Sequence, residues 1–105
     1  MITSIDNPRI KEARKLQRRR SRHQHNALLL EGVRLVRDAL QSGAHVRELY
    51  FAPELVADNA EAQHLLTAAA ANVDCLACSG AVLASLTETV KARAATAVAS
   101  SASPR

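Results

Sequence analysis

The stretch Ala27-Leu28-Leu29-Leu30-Glu31-Gly32 decides the fold. Its apolar run has no polar interruption, which suits a strand covered on both faces, as in a parallel sheet. Glu31-Gly32 then turns the chain into a helical pattern. Val33, Val36, Ala39 and Leu40 recur on one face, and Gly43 follows at the usual C-terminal stop. The same rhythm continues beyond. Residues 46–51 read as a second strand, broken by Pro53, and Asp58 or Asn59 caps an alanine-rich helix to about residue 71. Residues 73–77 read as a third strand, Ser79 caps a short helix through Leu86, and residues 95–99 are a candidate fourth strand. Strands and helices alternating with short connections predict a small three-layer α/β/α domain with a mainly parallel sheet.

Upstream of this core, Asn7-Pro8 marks a helix start: Asn accepts from a free backbone N–H, and Pro lacks a donor that would be orphaned anyway. From there to Arg20 no residue breaks a helix, and a polar loop is expected at 21–26. At about 100° per residue, Lys11, Lys15, Arg18 and Arg22 fall in a stripe roughly 60° wide, with Ile10, Ala13 and Leu16 opposite. Eight of the fourteen Lys and Arg lie in the first 22 residues, against two acids, Asp6 and Glu12. Gathered this way, the charge makes a field that a polyanion feels from a Debye length away. Arg9, Lys11, Arg14, Lys15, Arg18, Arg19, Arg20 and Arg22 are the candidate phosphate contacts, with Arg34 beside the sheet edge. The expected organisation is a basic helix and loop at 1–26, an α/β domain at 27–91, and an Ala/Ser-rich tail at 92–105 that holds a last strand or a linker.

Composition narrows the function classes. The chain has 105 residues, 48% of them apolar, with one Phe, one Tyr and no Trp. One core of Leu, Val and Ala is expected, and stacking of bases on aromatic side chains is nearly excluded. No apolar run approaches membrane-spanning length, and no signal-peptide apolar stretch follows the basic N-terminus. A cytoplasmic location without membrane contact is the expectation.

Several local patterns together resemble a known family. Ile2-Thr3-Ser4, Asn7-Pro8-Arg9-Ile10-Lys11, Lys15-Leu16, Leu30-Glu31-Gly32 with Arg34 and Val36, and Val82-Leu83-Ala84-Ser85-Leu86-Thr87 are similar, in order and spacing, to the N-terminal substrate-binding domain of the SpoU (TrmH-like) RNA ribose 2′-O-methyltransferases. The resemblance covers 2–89 and implies an RNA-binding, ribosomal-protein-like α/β/α domain whose basic helix grips ribosomal or transfer RNA. In such enzymes a knotted domain binds S-adenosylmethionine, dimerises and carries the catalytic residues, and that domain is expected to be missing here. Where these proteins show a Pro-Gln-Gly-like turn, this chain has Val90-Lys91-Ala92-Arg93-Ala94-Ala95, as in a truncated or excised piece. The expectation is a chain that binds RNA but does not catalyse, with no cofactor or metal of its own.

Other candidate chemistry is weaker. Cys75-Leu76-Ala77-Cys78 matches a C-x-x-C pattern, so a small redox or metal protein is one alternative, and a basic protein–protein adaptor is another. Zinc needs two further ligands at suitable spacing, and residues three apart on a strand point to opposite faces, so both thiols are expected to be structural. His23 and His25 flank Gln24 in the basic region without a carboxylate or thiolate neighbour, while His45 and His64 are isolated. Glu31 has no paired acid or nucleophile and suits the start of the following helix.

Overall fold

The computed structural model describes residues 1–87 and 95–100. The helix starts form as their caps dictate. The Asn7 side chain accepts from the Arg9 N–H at 2.9 Å ahead of α1, Pro8–Lys15. Asn59 does the same for Ala62 at the start of α5, Ala60–Ala69, and Ser79 for Val82 at the start of α6, Gly80–Ser85. Gly32 and Gly43 take φ of 100° and 83° at the two ends of α3, Val33–Gln41, a region closed to most side chains. A short turn of helix, α4, Pro53–Val56, follows the second strand and has no counterpart in the expected pattern.

The strands are β1 Ala27–Glu31, β2 Val46–Phe51, β3 Asp74–Ala77 and β4 Ala95–Ser100, in spatial order β1-β4-β2-β3. The layered α/β class is as expected, but the sheet is mixed. β2 pairs β3 in parallel, whereas β4 runs antiparallel to both β1 and β2. β1, β2 and β3 therefore share one direction, as βα units require, and β4 alone opposes them. The expected mainly parallel sheet is corrected because the last strand enters the middle of the sheet rather than its edge. Alanine, a poor strand former by propensity, suits that central place: Ala95, Ala97 and Ala99 are buried and let the helices of one layer approach closely. β1 is consequently an edge strand, and Leu28, Leu29 and Leu30 are only half-buried. The tail expected at 92–105 thus supplies a strand at 95–100, while 88–94 and 101–105 lie outside the described residues.

Two cores line the sheet. On one face Ile10 and Ala13 of α1, with Leu16 just past its end, and Val82, Leu83 and Leu86 around α6 pack on Ala27, Tyr50, Cys78 and Val98. On the other, Val36 of α3 and Leu65 and Ala69 of α5 pack on Val46, Leu49 and the β4 alanines. The basic helix α1 is thus one wall of the domain. Ile2 extends the free edge of β3: its N–H donates to Ala77 O and its carbonyl accepts from Ser79 N–H, each at 2.9 Å. Among the described residues no helix is long and apolar enough to cross a membrane.

Candidate nucleic-acid interface

The single basic helix expected from residue 8 to about 20 is two. α1 ends at Lys15, and the next turn tightens through Leu16 N–H to Ala13 O, Gln17 N–H to Arg14 O and Arg18 N–H to Lys15 O, at 3.0–3.1 Å. Arg18 is then extended, and α2, Arg19–His25, begins. Leu16 is buried, and the Gln17 amide donates to Ser85 O at 2.9 Å, so packing against α6 fixes the chain where an isolated sequence would stay helical. The loop expected at 21–26 is largely α2, and it ends at Asn26, whose φ of 49° and ψ of 44° turn the chain into β1.

The break redistributes the cations. Lys11, Arg14, Lys15 and Arg18, with Gln17, line one open recess of about 360 Å³ along α1 and its end. Arg19 and Arg20 stand exposed on α2, and Arg22 is half-buried, so the continuous stripe through Arg22 does not exist. Lys15 Nζ reaches Glu12 Oε1 at 2.8 Å, and the hydrogen bond from that ammonium holds the Glu12 carboxyl below its ordinary value. Arg34 is exposed on α3, in the layer on the far side of the sheet from α1.

Arg9 has a different place from its neighbours. Its Nη2 donates to Asp74 Oδ2 at 2.8 Å and its Nε lies 3.5 Å from Glu48 Oε2. The hydrogen bond to Asp74 raises the guanidinium pKa still further. Glu48 and Asp74 are register partners on adjacent parallel strands, so two carboxylates stand side by side and Arg9 lies against both. The buried Tyr50 completes the set by donating to Glu48 Oε2 at 2.7 Å, and burial, with that bond to a carboxylate, pushes its phenol well up. This network ties the first turn of α1 to the sheet.

One functional candidate escaped the sequence. Between Val46 and Glu48 the β2–β4 register shifts by one residue, which makes Arg47 the extra residue of a bulge. Its Nη2 donates to His25 O and Asn26 O at 3.3 Å each, at the C-terminal end of α2. A cation there meets the negative end of the helix dipole. Nothing in a V-R-E-L-Y-F strand pattern announces a bulge, so only the fold reveals it.

The cysteines separate as strand geometry requires. Cys75 packs with the α3–α5 core and Cys78 with the α1–α6 core, on opposite faces of the sheet. Burial raises both thiol pKa values, that of Cys78 to about 11. Among the described residues no three His, Cys, Asp or Glu gather as a metal-binding group.

Comparison with known proteins bears on the whole surface. Over residues 7–97 the sequence matches the family described as the MRM3-like substrate binding domain. A solved RNA 2′-O ribose methyltransferase is 33% identical, with a TM-score of 0.83 over 96% of this chain and 37% of its own. The SpoU methyltransferase AviRb from Streptomyces viridochromogenes, solved with AdoMet, superposes with a TM-score of 0.81 at 24% identity, over 92% of this chain and 36% of its own. An rRNA methyltransferase from Sinorhizobium meliloti shares the fold at 22% identity and a TM-score of 0.75, over 93% of this chain and 35% of its own. A comparison with curated proteins gives no match. The chain spans little more than a third of the length of these solved relatives. From its family match and from its 33% identity to a solved RNA 2′-O ribose methyltransferase, the chain belongs to the MRM3-like substrate-binding domains, the N-terminal substrate-binding domain of SpoU (TrmH-like) RNA ribose 2′-O-methyltransferases.

Proposed function

We propose that this domain binds ribosomal or transfer RNA in the cytoplasm and presents it for ribose 2′-O-methylation, without itself carrying out methyl transfer. The observation that carries the proposal is the gathering of Lys11, Arg14, Lys15 and Arg18 on one exposed face of α1 and its end, beside Arg19 and Arg20 on α2. Long cations along a helix wall suit the charge of a phosphate chain, and such contacts position RNA without reading its sequence.

S-adenosylmethionine binding and dimerisation are assigned to the remaining length of such enzymes. The three glycines all have places in the backbone of the fold. Gly32 and Gly43 start and stop α3, and Gly80 opens α6 with its N–H held by Glu54 Oε1 at 2.9 Å.

The test is binding of the 105-residue chain to structured ribosomal RNA fragments across a salt series. With about five phosphates neutralised, log affinity falls against log salt with a slope of roughly −3.5 on single-stranded segments. Reversing Lys11, Arg14 and Arg18 to Glu weakens binding alike for all sequences. A slope near zero, equal competition by an acidic polypeptide, or methyl incorporation by the chain alone overturns the proposal.

A further inference from the structure

With Tyr50 fully buried and Phe51 packed into the α3–α5 core, neither aromatic ring is available to stack on a base. Phosphates are alike in RNA and DNA, so cations alone would not tell the two polymers apart. The sugar offers the difference, because its 2′-OH is a hydrogen-bond donor that deoxyribose lacks. Among the cations that line the recess along α1 stands one neutral side chain, Gln17. It is half-buried in the tight turn that closes α1, its backbone N–H donating to Arg14 O at 3.1 Å and its Nε2 to Ser85 O at 2.9 Å. A carbonyl only accepts, so the amide must turn its nitrogen to Ser85. The amide oxygen is left over, and among the described residues nothing donates to it. Lys11, Arg14 and Arg18 beside it are exposed and make no ion pair with a described carboxylate.

We propose that this recess takes one ribose-phosphate unit of the bound RNA, with Gln17 Oε1 accepting from the ribose 2′-OH while Lys11, Arg14 and Arg18 hold the flanking phosphates. The contact deepens the proposed function and rests on it, and it gives that surface a preference for RNA over DNA. The other lining residues, Lys11, Arg14, Lys15 and Arg18, carry only donors on their side chains, so Gln17 alone can receive the hydroxyl proton. A carboxylate in the same place would also accept, but it would repel the phosphates on either side. An amide oxygen accepts without that charge. The bond to Ser85 O already holds the side chain, so little further ordering is needed when the sugar arrives. The recess, at about 360 Å³, is of the size that ligand-binding clefts have. A 2′-O-methylated ribose has no hydrogen to donate, so a strand already modified at this position gives up the contact.

The experiment measures the 105-residue chain against oligouridine strands of one length that differ only in bearing hydroxyl, hydrogen or fluorine at the 2′ position. Fluorine keeps the RNA-like sugar pucker but has no hydrogen to donate. The hydroxyl strand binds about fivefold more tightly than either of the others, the worth of one hydrogen bond. Gln17→Met, close in length but without an amide, abolishes that preference and leaves affinity for the deoxy strand unchanged, which also shows that the variant is folded. Should the variant unfold, the wild-type series still decides whether the hydroxyl is read. Equal affinity for all three strands, with a steep salt dependence intact, overturns the ribose contact and leaves phosphate binding standing. A fluoro strand as tight as the hydroxyl strand, or a preference that survives in Gln17→Met, overturns the contact as well. Failure of all three strands to bind overturns both readings.

Discussion

Arg9 belongs to the basic segment by sequence and to the framework by structure, and replacing it separates the two roles. In Arg9→Gln the 2.8 Å bond to Asp74 and the 3.5 Å contact with Glu48 are lost. Both partners are partly exposed, so each lost contact costs only a few tenths of a kcal/mol. The larger part comes from what remains. Glu48 and Asp74 are register partners on neighbouring strands, and two carboxylates so placed repel once the cation between them is gone. Together these effects amount to about 1 kcal/mol. For a domain of this size that lowers Tm by about 4–8 °C. Asp74→Asn in the same background relieves the repulsion and restores part of the loss, which a double-mutant cycle by thermal unfolding reads directly. Lys11→Gln behaves oppositely: Tm stays near wild type, and the salt slope of RNA binding falls by about 0.7. If instead Arg9→Gln unfolds at the wild-type temperature and takes about 0.7 from the slope, Arg9 is a phosphate ligand and the network account is wrong.

Three further outcomes are expected. Asn26→Ala forces a side chain with no local hydrogen bond into the left-handed region at φ 49° and costs about 1 kcal/mol in denaturant unfolding, whereas Asn26→Gly is nearly neutral. Gln17→Ala removes the amide bond to Ser85 O and costs about 1 kcal/mol, read by the same assay together with loss of protection at α2 in hydrogen exchange. Raising the pH past the ordinary thiol value of 9.0 destabilises the fold. Folded Cys78 keeps its proton to about 11 while the unfolded chain gives it up, so stability present below pH 9 is lost on the way to 11. Tyr50, also pushed up by burial, acts in the same direction. Urea midpoints that stay level from pH 8 to about 11 would contradict this.

Local signals made most of the elements legible. Asn7, Asn59 and Ser79 cap the helices they were expected to cap, and residues 46–51 form a strand with those bounds. Long-range packing accounts for the differences. Nothing between residues 8 and 20 breaks a helix, yet burial of Leu16 and the bond from Gln17 to α6 divide it. The run Leu28-Leu29-Leu30 has the composition of a strand covered on both faces, yet it lies at an edge because β4 takes the centre. For the surface, charge counting located the segment but not the state of each side chain. It took the sheet register to show Arg9 between two carboxylates, and a bulge to bring Arg47 to α2. Arg34 follows a good positional argument, but its helix lies in the opposite layer.

The central position of the last strand bears on how the molecule is made. Among the described strands, β1 bonds only to β4, and β4 alone joins it to β2 and β3. While the ribosome is still translating, three leucines wait without a partner for the alanine-rich segment to emerge. Closure of the sheet therefore joins segments that lie far apart along the chain, and it is expected to be slow for a domain of this size. Nascent chains arrested before residue 95 should be digested readily by protease, and resistance should appear only once residue 100 has cleared the exit tunnel.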